Sequence, residues 1–357
     1  GNGGIRFCEN IGNALEPKFS SPMFAPFGLN SVSSIHSPAF GDLDDDGDYD
    51  VLSMDYNTFT YYKNNGTPQN PSFSAPFNNP YGLGGSTFRN PTLCDFDGDG
   101  DLDVITGSQF GDFVFFRNTS SGATPAFAAP MINPFGLSSM YSQTFTSNPE
   151  MVDIDNDGDL DMFVGPELSE NVFFMENTGT STSPAFGPPQ LNSFGFSIVP
   201  ASFYVLWDHG LSPAFVDIDN DGDFDVFAGH FYGAVLYWKN TGTPTSPAFQ
   251  PQPFGLFPHL NNGLINFGDL DGDGDLDAIS ENDGMGIRYH QNTGNINEPA
   301  FLPPVVGAYG MEGFNNEGWH ENPYLVDIVG DGELDLFTLG DGDFGVEFRA
   351  DVGGATG

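Results

Sequence analysis

Carboxylates dominate the chemistry this chain could perform, and their spacing is regular. The pattern D-x-D-x-D-G-D-x-D begins at Asp42, Asp95, Asp153, Asp217 and Asp269, and a degraded copy begins at Asp327. The six stretches 42–50, 95–103, 153–161, 217–225, 269–277 and 327–335 hold 30 of the 49 acidic residues. The charge is therefore packed into small clusters and not spread as a solvated coat. Carboxylates this close repel one another, so the loop resists closing until a cation neutralises it. Ca²⁺ suits the task, because it takes roughly 6–8 oxygen ligands at roughly 2.3–2.6 Å, carboxylate or carbonyl alike. Alternate positions put side chains on one side of an ion, and the glycine at position six permits a sharp turn. An EF-hand needs a bidentate Glu at position twelve, where these loops carry Ser53, Thr106, Val164, Ala228, Ser280 and Thr338. Mg²⁺ wants a tighter shell with several waters, and zinc wants His or Cys, which the loops lack. A solvated turn that binds nothing does not account for five matching copies.

Such loops need elements to hold them, and the rest of the sequence repeats on the same beat. Successive loops start 53, 58, 64, 52 and 58 residues apart. A short apolar run precedes each, as at Pro91-Thr92-Leu93, and another follows, as at Val104-Ile105. An aromatic run comes next (Phe59-Thr60-Tyr61-Tyr62; Phe113-Val114-Phe115-Phe116), then an Asn-containing turn, then Pro-x-Phe, then Pro-Phe-Gly-Leu or a variant. These runs are β-branched or aromatic, bounded by Gly, Pro, Asn and Asp, and nowhere helical in period. Four short strands per 50–60 residues predict an all-β fold, a β-propeller of four-stranded blades. We label the strands A (before the acidic loop), B (after it), C (the aromatic run) and D (near Pro-x-Phe). Six acidic loops predict six blades, seven being the alternative, in a single domain over 1–357. There are seven C-type runs, because Ile5-Arg6-Phe7 opens the chain and Val346-Glu347-Phe348 nearly closes it. Six blades close if the N-terminal piece completes the blade begun near Asp327, and one C strand is then spare.

The acidic pattern resembles the FG-GAP/VCBS repeats of integrin α-subunit propellers, certain fungal lectins and many secreted bacterial proteins. That resemblance implies Ca²⁺ ligation through the side chains of positions one, three, five and nine and the carbonyl of position seven. It nominates Asp42, Asp44, Asp46, Asp48 and Asp50 in the first loop and Asp95, Asp97, Asp99, Asp101 and Asp103 in the second. In the third and fourth it nominates Asp153, Asp155, Asp157, Asp159, Asp161, Asp217, Asp219, Asp221, Asp223 and Asp225. The fifth offers Asp269, Asp271, Asp273, Asp275 and Asp277, and the sixth Asp327, Asp331 and Asp335. The sixth departs from the pattern with Val329 at position three and Glu333 at position seven. Five complete Ca²⁺ sites and a degraded sixth are expected. The ions would be structural, rigidifying the A–B turns, and of an affinity suited to millimolar external Ca²⁺, which places the protein outside the cell.

Eight Lys and Arg against 49 Asp and Glu give a net charge of −41, which excludes nucleic acid as a partner and disfavours anionic lipid. No apolar run is long enough for a membrane helix. The chain starts at Gly1 without a signal peptide and reads as a processed or excised segment. Cys8 and Cys94 are expected to be small buried residues without a disulfide between them. Two glycosylation acceptors, Asn65 and Asn118, fall in C–D turns where exposure is expected. The D–A connections carry His36, Arg89, Tyr141, Trp207, His209, His259, Trp319 and His320. The B–C loops add Phe110, His230, Phe231, Tyr232 and Met285, so a rim for glycan or protein is a candidate. No nucleophile–base arrangement has a family spacing, and the chain is not expected to be an enzyme. A structural or adhesion module is the leading expectation, self-associating into filaments through the spare C strand or binding another extracellular protein. A lectin using the rim is the first alternative, and a polysaccharide-active enzyme the second.

Overall fold

Phe, Val, Ile and Tyr in runs of three to six cannot stay in water and cannot form helices between such frequent Gly, Pro, Asn and Asp stops. They pair as strands. In the computed structural model the described residues are 5–13, 16–29, 36–55, 58–85, 88–108, 110–120, 124–140, 147–166, 172–196, 212–229, 235–252, 264–281, 286–295, 298–314 and 322–339. Among them the strands form six separate four-stranded sheets with antiparallel pairing. Each is a blade of the β-propeller type, built as a meander. Blade one runs through His36–Gly41, Asp50–Asp55, Thr58–Tyr62 and Phe77–Asn78. Blade two runs through Phe88–Cys94, Asp103–Ser108, Phe113–Phe116 and Met131–Ile132. Blades three, four and five open with strands Ser147–Val152, Ser212–Val216 and Leu264–Gly268. Blade six pairs Asn322–Val326 and Asp335–Leu339 with Ile5–Cys8 and Met23–Phe24 from the other end of the chain. The N-terminal piece thus completes the last blade, and six blades form, not seven. The spare C-type run Val346–Phe348 lies outside the described residues.

The described residues fall into two compact units. One comprises Ile5 and 25–211 and holds blades one to three; the other joins 6–24 to the residues from 212 onward and holds blades four to six apart from Ile5. Within each unit the middle strands are buried on both faces, which explains their unbroken apolar runs. Alternate side chains of one strand serve different neighbours. Val104 packs with Leu52, Phe59 and Tyr61 of blade one, while Ile105 packs with Met162 and Val164 of blade three. In the other unit Ile279 and Tyr289 of blade five meet Leu325, Leu336 and Cys8 of blade six.

Strand D differs from expectation. In five blades the Pro-x-Phe element supplies one bridge, from its Phe to the turn asparagine (as Asn64↔Phe73, Asn118↔Phe127, Asn177↔Phe186), whereas in blade four Phe249 itself opens the outermost strand, Phe249–Pro251. In the other five blades the outermost strand forms beyond the Pro-x-Phe element and is two residues long. Such short edges limit pairing with other chains, although Phe24, Phe77, Ile132 and Leu191 are exposed there.

The Pro-Phe-Gly turn is not a strand but a one-turn 3₁₀ segment that joins consecutive blades. The Tyr81 carbonyl accepts the Phe127 N–H at 2.8 Å, Phe135 that of Phe186 at 2.7 Å, and Tyr309 that of Phe19 at 2.6 Å. Tyr81 sits at φ +53° and the next residue, Gly82, at φ +103°. A Cβ on Gly82 would lie 2.5 Å from the Phe127 carbonyl oxygen, whereas one on Gly100, at φ +95° in the second acidic loop, would meet nothing within 4 Å. Gly100→Ala is therefore expected to cost about 1–2 kcal/mol of backbone strain alone. Gly82→Ala adds a backbone clash and should cost about 3 kcal/mol or more. Urea unfolding of the two variants checks the difference.

Candidate metal centre

Each acidic loop folds on its own backbone before any ligand is considered. The first aspartate caps the turn. Asp42 accepts the Asp46 N–H at 3.1 Å and the Gly47 N–H at 2.9 Å, and Asp95, Asp153, Asp217 and Asp327 repeat both bonds. The fifth then accepts the N–H of the seventh, as Asp157 does from Asp159 at 3.1 Å. Two positions need left-handed backbone. Position six is glycine in every loop (Gly47 at φ +92°, Gly158 at +93°). Position four is the second: Asp45, Gly98, Asn156, Asn220, Gly272 and Gly330 all have positive φ. Sequence reading missed this requirement, yet its signal was present, since Gly, Asn and Asp are the residues that tolerate that region.

Positions one, three and five converge as the sequence implied. In Asp42/Asp44/Asp46, Asp95/Asp97/Asp99, Asp153/Asp155/Asp157, Asp217/Asp219/Asp221 and Asp269/Asp271/Asp273, one carboxylate oxygen from each residue lies within 4.8 Å of the others. Among the described residues the sixth loop forms no such triad, and Val329 stands where the position-three carboxylate would be. The residues present fit a hard cation. Asp44 is 1% exposed, and its Oδ1 is buried with no hydrogen-bond donor; Asp97 Oδ1 and Asp271 Oδ1 are likewise without one. A buried anionic oxygen with no donor is costly unless a cation reaches it. Ca²⁺ bound there would supply charge neutralisation and a rigid turn.

Position seven goes beyond its implied role as a carbonyl. The Oδ1 atoms of Asp48, Asp159, Asp223 and Asp275 are buried without a donor. Burial and then the like charge of Asp46 push the Asp48 carboxyl up to about 6. Burial and then the Asp157 carboxylate do the same to Asp159, also to about 6.

Position nine is placed differently from the triads. Asp50, Asp103, Asp161, Asp225, Asp277 and Asp335 are almost wholly buried and tie the A–B loop to the C–D turn of the same blade. Oδ1 of each accepts the backbone N–H of the turn asparagine, from Asn64, Asn118, Asn177, Asn240, Asn292 and Asn10, at 2.6–2.8 Å. Oδ2 takes a tyrosine hydroxyl in three blades: Tyr61 to Asp50 at 2.7 Å, Tyr237 to Asp225 at 2.9 Å and Tyr289 to Asp277 at 2.8 Å. Burial raises Asp50, Asp225 and Asp277 to about 7, against the lowering effect of these donors. A carboxyl whose folded value lies above its ordinary one binds protons more tightly when folded, so its stabilising effect is full below about pH 4 and is lost as pH rises through about 7. In chelator the protein should therefore melt at a higher temperature at pH 5 than at pH 8, which differential scanning fluorimetry measures.

The turn asparagine is itself structural. Asn118 is 1% exposed, its Oδ1 accepts the Ser120 and Ala126 N–H groups, and its Nδ2 donates to the Leu102 carbonyl. The expectation that Asn118 is an exposed glycosylation acceptor is therefore wrong, while Asn65 is exposed. Cys8 is fully buried, Cys94 is half-buried, and neither is in a disulfide. Of the candidate rim, Phe110 is 50% exposed, and the backbone of His36 and Arg89 lies in strands. Tyr141, Trp207, His209, His230, Phe231, Tyr232, His259, Met285, Trp319 and His320 fall outside the described residues. A Ser280–His290 contact of 2.7 Å joins two side chains that are 0% exposed, so it serves the blade interior. No helix among the described residues is long and apolar enough to cross a membrane.

Among solved structures, the chain is similar to an Agrocybe aegerita lectin that recognises non-reducing terminal N-acetylglucosamine. Identity is 17%, 94% of this chain and 84% of the lectin are covered, and the TM-score is 0.53, a likeness of fold alone. Rhamnogalacturonan lyases YesX and YesW match at 12% and 13% identity with TM-scores of 0.39 and 0.37. The match covers 76% and 72% of this chain but only 49% and 48% of those lyases. No curated protein sequence matches the chain significantly. The FG-GAP-like repeat profile matches residues 42–106, 95–164 and 217–280, just over half of the sequence, with an acidic nonapeptide opening every matched stretch. The chain belongs to the FG-GAP-like repeat family.

Proposed function

We propose that this chain is an extracellular, calcium-stabilised β-propeller module of adhesion or assembly, without catalysis of its own. The observation that supports it best is the set of five aspartate triads, with buried, donorless oxygens on Asp44, Asp97 and Asp271. Oxygen sites of extracellular modules fill at about 10⁻⁴–10⁻³ M Ca²⁺, a level met outside cells and not in the cytosol. A protein carrying five such clusters at a net charge of −41 gains rigidity only where that calcium exists.

Assembly has a physical route. In blade six the C-strand place is held by Ile5–Cys8, while the sequence after Asp335–Leu339 offers a second C-type run at Val346-Glu347-Phe348. Two segments competing for one slot favour exchange between copies. Exchange is heterologous, and it extends into filaments when the rotation does not close. Negative-stain electron microscopy in millimolar Ca²⁺ and again in EGTA tests this. Ordered filaments that dissociate on chelation, and that are lost in Phe348→Asp, are expected. Lone particles at high concentration in Ca²⁺ would refute assembly and leave adhesion to another protein. The lectin's fold carries no specificity over to this chain. Glycan-array signal in the same calcium buffer would move the module to sugar recognition.

A further inference from the structure

The residue one place before the turn asparagine, where strand C gives way to the C–D turn, reaches over the acidic loop of its own blade in four blades. In blade one it is Lys63, whose Nζ pairs with Asp44 Oδ2 and lies 2.9 Å from Asp46 Oδ2. In blade two it is Arg117, with Nε 2.6 Å from Asp97 Oδ2 and Nη2 3.0 Å from Asp99 Oδ2. In blade four Lys239 pairs with Asp219 Oδ2. In blade five the neutral Gln291 donates from Nε2 to Asp271 Oδ2 at 2.7 Å. In blade three the same place holds Glu176. The chain has only eight Lys and Arg, so three at one repeat position is a concentration that general surface charge does not explain.

Each of these cations sits on oxygens of the triad that calcium would use. An ammonium or guanidinium satisfies a carboxylate cluster in the absence of metal and must yield, or share the field with a dication, in its presence. We propose that the residue before the turn asparagine is a tethered counter-ion that sets calcium affinity blade by blade. Lys63, Arg117 and Lys239 hold their loops closed without metal and make them the weak sites. Glu176 adds a carboxylate and makes 153–161 the tight site, and the Gln291 loop lies between. The inference rests on the reading of the loops as calcium sites. It adds graded loading, so the module responds to external calcium over a range instead of at one threshold.

Native mass spectrometry of the intact chain, over free calcium from nanomolar to millimolar, counts the ions bound at each step. The wild type should load one ion first and three last. The triple variant Lys63→Gln, Arg117→Gln, Lys239→Gln should load those last ions at about tenfold lower calcium. Glu176→Lys should delay the first ion by about tenfold. Melting supplies a signature that a merely structural role would not give: the triple variant should melt below wild type in chelator, yet gain more from calcium. Should the triple variant fail to fold, Glu176→Lys alone decides. Superimposable loading curves for wild type and folded variants would overturn the hierarchy and leave the calcium reading intact. A wild type that takes up no ion at millimolar calcium would overturn the calcium reading and the hierarchy with it.

Discussion

Stripping calcium is expected to lower the melting temperature by about 15 °C. Each complete triad that binds the ion only when folded contributes about 1.4 kcal/mol at a free concentration ten times its Kd. Five triads give about 7 kcal/mol at that loading. A protein of this size shifts by about 2 °C for each kcal/mol. The ionic repulsion released on stripping acts in the same direction, since 30 of the 49 acids lie in the loops. Differential scanning calorimetry in EGTA, and again in millimolar Ca²⁺, makes the comparison. The unit of blades one to three carries three triads and the unit of blades four to six carries two, so the first should lose more. A shift below about 3 °C would mean that fewer than two sites are filled.

Asp277→Ala should cost about 3–5 kcal/mol whether or not calcium is present, whereas Asp273→Ala should matter mainly when it is. Asp277 is 0% exposed and accepts three donors: the Asn292 N–H at 2.8 Å, the Tyr289 hydroxyl at 2.8 Å and the Leu270 N–H at 3.3 Å. Truncation strands all three inside blade five and unties the acidic loop from the C–D turn. Asp273 gives up one hydrogen bond, from the Asp275 N–H, and one oxygen of the triad. Urea titrations in EGTA and in Ca²⁺ make a two-by-two test. Equal losses for the two variants in EGTA would overturn the division between a structural ninth position and a ligating fifth.

Much of this molecule is written in local pattern. Apolar runs between obligatory turns specify strands, because alternation, β-branching and stop residues act over a few neighbours, and the six-fold beat of Asp42 to Asp327 specifies blades. The convergence of positions one, three and five was legible for the same reason. Alternate residues on a tight turn share a side, and glycine at position six was a sufficient sign of that turn. Even the closing of blade six by Ile5–Cys8 could be counted, since strands cannot be left unpaired without cost.

What depends on elements brought together from a distance was not legible. The tie between the ninth aspartate and the C–D turn exists only because a turn asparagine, 14–16 residues on in blades one to five, presents its N–H to that carboxylate and not to the fifth. Asn118 looked like an exposed acceptor by its neighbours, and burial by Leu102 and Ala126 decided otherwise. The Tyr81–Phe127 link needs two blades side by side. Lys63, Arg117 and Lys239 look like ordinary surface cations in the sequence. Only the packing of strand C against the A–B loop sets their charges on the carboxylates, and electrostatic energy depends on that distance, not on separation along the chain.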